Sequence, residues 1–329
     1  MLNIHNGDAT AGTARLAAIP GAHTAFREAL VAGPTPANLE PTEWRKLRAA
    51  HLSSAYGGSW EEAQRDLERL EAALSSFHLH DEVVLWFEHD LFCQINLLYL
   101  LDWFAARDLR KTKLSLIFIG EFPGLPDFRG LGELNPTQLA SLFDSRLEIS
   151  EAQMKLATKA WKAYCSPDPT ALEELLSNDT SAMPFLQPAL LSHLARFPSV
   201  RNGLGRVEEC SLNLVNEGCK KFADLFRRFI DEDRVYGFGD SQVYLTLQQL
   251  SNVRAPLVRN GGERLGKGGL DPEKVQGAAY EITDRGRAVL KGEADFVELN
   301  GIDVWLGGVH LTNDQLWRWD SDKRQIIQA

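Results

Sequence analysis

The chain has 329 residues, 44% hydrophobic and 24% charged, an ordinary globular composition long enough for two or three domains. Disordered and fibrous classes are excluded. Forty-five acidic against thirty-five basic side chains leave a net charge of −10, which opposes non-specific attachment to nucleic acid or to an anionic membrane.

The start, Met1 to Asp8, lacks the positive segment and apolar core of a secretion signal. The longest apolar stretch, Leu91 to Phe104, is interrupted by Gln94, Asn96 and Asp102 and is too short to span a bilayer. Cys93, Cys165, Cys210 and Cys219 form no CxxC pair, so they read as small buried hydrophobes in a reducing compartment. A cytoplasmic protein with no membrane partner is expected, and oligomeric state is left open.

In chain order, Leu2 to His5 reads as a strand. Asn6-Gly7-Asp8 is a turn whose Asp8 is placed to cap a helix over Thr10 to Ala18. After Pro20-Gly21, Ala22 to Phe26 is a second strand leading into Arg27-Glu28 and a Gly33 to Pro36 loop. Two amphipathic helices follow, Pro41 to Ser54 and Ser59 to Phe77, the second with Ala63, Leu67, Leu70 and Leu74 on one face. Val83 to Phe87 is an apolar run of strand length that ends abruptly in Glu88-His89-Asp90 and feeds the helix beginning at Leu91. Leu114 to Ile119 is a fourth strand, ending in Gly120-Glu121-Phe122-Pro123-Gly124. This alternation predicts an α/β fold: a Rossmann-like, mainly parallel sheet over residues 1–130 with helices on both faces.

Residues 131–199 read as an all-helical linker domain punctuated by Pro136, Pro167, Pro184 and Pro198, with His193 as a core or surface histidine among leucines. Residues 200–329 predict a winged-helix-like domain. Helices over Arg206 to Asn216, Phe222 to Ile230 and Asp240 to Leu250 precede two strands, Leu257 to Arg259 and Ala279 to Ile282. The run Tyr280 to Leu290 resembles the wing strand and closing helix of winged helix-turn-helix domains. The tail carries Trp305, Trp317 and Trp319, a large apolar area expected to dock back on the body of the chain.

Parallel strands would bring their carboxyl ends to one sheet edge, where ligands bind in open α/β folds. That edge collects Asp8, Arg27, Glu28, Glu88, His89, Asp90 and Glu121. Each has a bland reading: Asp8 and Asp90 as helix caps, Arg27 and Glu28 as a surface ion pair. Together they suggest a site, because burying several carboxylates is costly without partners or a purpose. Glu88, His89, Asp8 and Glu121 are the catalytic candidates; Asn6, Gly7, Thr10, Arg27, Glu28, Asp90 and Gln94 are the ligand-binding ones. Two chemistries compete there. His5, Asp8, Glu88 and His89 would hold a divalent metal that activates water, or one carboxylate and His89 would act as base and acid on an organic substrate. Along the strand, Val84, Trp86 and Glu88 share one face with Asp90, and Phe87 shares the other with His89. Asp90 is therefore the expected cap, leaving Glu88 and His89 as the reactive pair.

Two further motifs carry less. Gly261 to Gly268 matches GxxxxGK, but position 268 is Gly where a metal-binding hydroxyl belongs and no apolar-striped helix follows, so it reads as a wing loop. The third helix of the winged-helix region has no Lys or Arg, which makes it a poor reader of DNA even with Arg259, Arg264 and Lys267 on the wing.

Asn6-Gly7-Asp8, Gly33-Pro34, Leu85-Trp86-Phe87-Glu88-His89-Asp90 with Gln94, and Ile119-Gly120-Glu121-Phe122-Pro123-Gly124 resemble a bacterial family known mainly as a domain of unknown function. The resemblance extends through Phe197 to Gly203 and Asn300 to Asp303, and so covers most of the chain. It implies a second acidic residue near position 93, where this chain has Cys93, and it lends no activity. The expected function is a cytoplasmic hydrolase or transferase acting on a small polar or phosphorylated molecule. The alternative is a ligand-sensing regulator or a protein-interaction module that uses the winged helix.

Overall fold

The computed structural model describes residues 1–260 and 272–329. Its central sheet has the strand order β2-β1-β4-β5-β6, with β1 at Leu2–His5, β2 at Ala22–Ala25, β4 at Glu82–Glu88, β5 at Lys113–Ile119 and β6 at Leu147–Glu148. The first four strands are parallel, in a register that sets Ile4 beside Thr24 and Leu85, and Leu85 beside Leu116. Strand β6 lies antiparallel on β5. This fifth strand corrects the expectation that residues 131–199 are wholly helical. Two residues are too few to carry an alternating pattern, and both are exposed.

The crossover helices are α1 (Asp8–Leu16), between β1 and β2, and α4 (Leu91–Ala105), between β4 and β5; α2 (Pro41–Tyr56) and α3 (Trp60–Ser75) lie between β3 (Gly33–Pro34) and β4. Helix α3 starts with a full capping box, Ser59 exchanging hydrogen bonds with Glu62. Helix α4 is apolar nearly all round and is buried accordingly. Strand alternation divides the core. Leu2, Ile4, Leu85 and Phe87 face a large apolar cluster shared with α4, while Val84, Trp86 and Ile117 face a smaller one closed by Phe128 and Leu131.

The larger cluster is continuous with the rest of the chain. Helices α5 (Pro136–Ser141), α6 (Glu151–Tyr164), α7 (Thr170–Leu176) and α8 (Leu186–Leu194) lead to α9 (Arg206–Asn216), α10 (Phe222–Glu232) and α11 (Asp240–Ser251). An antiparallel pair, β7 (Val258–Asn260) with β8 (Tyr280–Ile282), follows, with α12 (Pro272–Gly277) just before β8. Three helices and a two-stranded antiparallel ribbon are thus present where they were expected. The GxxxxGK run, with Arg264 and Lys267, falls outside the described residues.

After α13 (Asp284–Lys291) and α14 (Phe296–Asn300), the tail folds back as two hairpins. In the first, β9 (Asp303–Gly307) pairs with β10 (Val309–Thr312) and also, in parallel, with β3. In the second, β11 (Trp317–Asp320) pairs with β12 (Gln325–Gln328). Trp319 is buried and its carbonyl accepts from Val200 N. Arg318 grips Asp295 through two hydrogen bonds of 2.7 and 3.1 Å.

Candidate functional site

The chain runs from β1 outward to β2 and then returns to build β4 and β5 on the other side. The topological switch point therefore lies between β1 and β4, at Asn6 and Glu88. Here the expected edge is real, and it is filled. Glu88 is 4% exposed. Its Oε1 accepts from Asn6 Nδ2 at 2.5 Å and from Leu131 N at 2.7 Å. Asp90, also 4% exposed, caps α4 by accepting from Cys93 N at 2.8 Å, as expected of it. Burial, reinforced for Glu88 by its neighbour Asp90, raises both carboxyl pKa values. The two carboxyls lie within 4.8 Å of one another, and buried carboxyls this close favour holding one proton between them.

Two glycines close the cluster. A Cβ at Gly130 would overlap Glu88 Oε2, and one at Gly237 would overlap Asp90 Oδ1. Both have positive φ, 156° and 62°, so each position needs glycine for conformation as well as for space. The Phe128 to Leu131 segment and the turn after α10 are in this way laid directly on the carboxyls.

The structure groups different ligand atoms from those expected for a metal. Glu88, Asp90 and Cys93 lie mutually within 4.8 Å, while His5, Asp8 and His89 do not join them. His5 sits lower on β1, its Nε2 2.9 Å from His23 Nδ1 and its ring stacked near Trp86. Burial, with the charges of His23 and Arg15, lowers its pKa to about 3. The carboxyl oxygens already meet an amide, backbone N–H groups and each other, and burial drives the Cys93 thiol upward in pKa. That donor set fits a proton-sharing pair better than a cation, which needs anionic ligands free to turn towards it.

The remaining candidates disperse. Asp8 caps nothing; Gly7 is the cap residue of α1, in extended conformation with open space where a Cβ would stand. Asp8 instead forms a forked, exposed pair with Arg27, at 2.8 Å. Glu28 is not the partner of Arg27. It turns inward to Arg48 of α2, 2.7 Å away and completely buried, a partner twenty residues on that local pattern could not name. Thr10 is buried in α1. Gln94 donates to the carbonyl of Glu88 at 2.6 Å and leaves its own Oε1 unpartnered. His89 is half-buried, its ring 6.0 Å from that of Phe185 and its Nδ1 unpartnered. Glu121 is exposed and takes no part in the cluster.

Open space lies beside this edge, in two clefts of about 910 Å³ each. One is lined by Asp8, Arg27 and the α3 residues Arg65 and Arg69. The other lies between α2, α9, α11 and the tail strand β9, and brings together His51, Arg196, Glu208, Leu245 and Trp305. Tyr56 and Gln242 line both, joined by a 3.2 Å hydrogen bond from the Gln242 amide to the Tyr56 hydroxyl. In the second cleft, His51 Nε2 and Glu208 Oε2 are buried atoms with no hydrogen-bond partner. Burial, helped by the charge of Arg48, brings His51 down to about 4, and burial raises Glu208. Sequence reasoning missed all three polar residues. His51 lay inside an amphipathic helix, and Arg196 and Glu208 showed no motif. Gly33 and Gly205, on whose Cα atoms the His51 ring and the Glu208 carboxyl are stacked, were the available signal.

Compared with models of known protein families and with the curated proteins, the chain matches none. Among the described residues, no helix is long and apolar enough to cross a membrane.

Proposed function

We propose that the protein is an enzyme, a hydrolase or transferase, acting on a small polar molecule held in the cleft between α2, α9, α11 and β9. The observation that carries this reading is the opposed pair His51 and Glu208. Each brings a buried, unpartnered polar atom to the same cleft, and their environments push their pKa values in opposite senses. His51, neutral above about pH 4, is a general base. Glu208, which holds its proton to higher pH than an ordinary carboxyl, is a general acid. Groups separated in this way divide the two proton transfers of a hydrolytic or transfer reaction between them.

This moves the chemistry from Glu88 and His89 to the adjoining cleft, and leaves Glu88 and Asp90 as the sealed frame of the sheet edge. Membership of the family whose motifs the chain resembles belongs to the same proposal and adds no activity. Free thiols at all four cysteines support a reducing, cytoplasmic setting. Use of the winged-helix region as a DNA reader is disfavoured, because Gln242, Leu245 and Thr246 of α11 line the cleft instead of facing outward.

The test is a screen of chromogenic esters, amides, phosphoesters and glycosides with the full chain, repeated with His51→Ala, Glu208→Gln and Glu88→Gln. Turnover lost in the first two and kept in the third is expected. Turnover lost only in Glu88→Gln would return the site to the strand edge.

A further inference from the structure

Two other arginines drawn into the fold have found carboxylates: the buried Arg48 pairs with Glu28, and the half-buried Arg318 with Asp295. Arg196 has not. It is half-buried at the end of α8, its Nη1 donating to the Val31 carbonyl at 2.7 Å and lying 3.5 Å from His193 Nδ1. Its guanidinium carbon stands 5.4 Å from the centre of the Phe238 ring. No carboxylate among the described residues lies within ion-pair reach of it. Glu208 feels its charge, which opposes the upward pull of burial on that carboxyl.

A half-buried cation without a counter-ion is unfavourable in an apolar surround. Here the surround is apolar, with Phe238, Leu245, Val304 and Trp305 on the cleft wall. One face of Trp305 is backed by His310, the rings 4.4 Å apart and nearly parallel, so the indole is held in place. Gln242, Thr246 and Gln249 add neutral hydrogen-bonding groups from α11. A cavity of about 910 Å³ is of the size that encloses a drug-sized molecule. Since the chain as a whole carries a net charge of −10, a cation isolated on this wall is a local arrangement that runs against the bulk charge.

We propose that the cleft binds a small organic anion, its carboxylate or phosphate group paired with Arg196 and its apolar body against Phe238, Leu245 and Trp305. This rests on the cleft being the site of the proposed function and names the class of its substrate. A planar guanidinium suits either anion through two parallel hydrogen bonds, so the anion's identity is for experiment to decide.

The experiment is titration calorimetry on the full chain with three matched pairs: phenyl phosphate and phenol, indole-3-acetate and indole-3-acetamide, adenosine 5′-monophosphate and adenosine. At least one anion is expected to bind tenfold or more tightly than its neutral partner, and which pair responds separates phosphate from carboxylate. Arg196→Gln should abolish that difference, and Arg196→Lys should keep part of it. Because Arg196 also holds the Val31 carbonyl, Leu245→Asp serves as the second variant, placing a negative charge in the cleft without touching the guanidinium. Both compounds lose the apolar contact of Leu245, and the anion should weaken at least tenfold more than its neutral partner. Equal binding of anion and neutral partner in every pair, or no binding of any of the three anions, overturns the proposal. Anion binding through Arg196 without turnover rejects the enzyme reading alone, whereas turnover of a neutral compound with no preference for anions rejects this one alone.

Discussion

Arg48 and Glu28 face each other at 2.7 Å with their side chains 0% and 3% exposed, and the guanidinium also donates to the carbonyls of Ala29, Ala32 and Pro34. One residue of α2 thereby fixes the whole segment that leaves β2. Removing one member strands a buried charge, so Glu28→Gln is expected to cost about 3–5 kcal/mol of folding stability. Urea unfolding followed by circular dichroism measures this. A cost below about 1 kcal/mol, the ordinary value for an exposed pair, would show that the segment is held by other means.

The Glu88–Asp90 pair gives a pH dependence with a definite sign. Burial raises both folded pKa values above those of the unfolded chain, so the native state binds the extra proton. Stability from this source is complete below the ordinary carboxyl value of 4.5 for Glu88 and is lost as pH rises through the raised folded value. Glu88→Gln keeps an oxygen for Asn6 and Leu131 and supplies an N–H towards Asp90. Its melting temperature should therefore fall less steeply between pH 5 and about 9 than that of the parent, on the linkage argument. Parallel melting curves for the two proteins over that range would reject proton sharing.

Glycine scanning separates the sealed edge from the open one. Gly237→Ala and Gly130→Ala each force a Cβ into a carboxyl and a positive φ on a residue with a side chain; each should cost about 2 kcal/mol or more. Gly7→Ala, with extended backbone and nothing within 4 Å of the new atom, should stay within about 0.5 kcal/mol of the parent. Thermal melts of the three variants give the comparison, and equal losses at all three would contradict the packing described.

For any substrate that the screen finds, kcat/KM should rise with pH through a group near 4 belonging to His51. It should fall on the alkaline side through the raised carboxyl of Glu208. Glu208→Gln should remove the alkaline limb from whatever activity remains. A limb that persists in this variant belongs to another group.

Strands β4 and β5 were legible because a buried parallel strand is written as a nearly unbroken apolar run, and the acidic end of β4 marked where the run stops; β2, AHTA with no buried residue, followed instead from the Pro20-Gly21 break before it. The cap at Asp90 followed from alternation and position alone. What could not be read depends on residues far apart in the chain. Glu28 chose Arg48 over its neighbour Arg27, the Phe128 to Leu131 segment closed over Glu88, and His51, Arg196 and Glu208 met only because α2, α8 and α9 pack round one space. Strand β6 was invisible for a different reason: it is too short for its pattern to differ from a loop.

Helix α11 has a consequence for any partner of this protein. Gln249 is exposed, while Val243, Tyr244, Leu247 and Leu250 are buried in the core and Gln242 reaches across to Tyr56. A macromolecule approaching α11 would find Gln249 available and the helix's apolar side chains committed to the core. Because Tyr56 and Gln242 line both clefts, a substitution at either one alters the wall that the two clefts share.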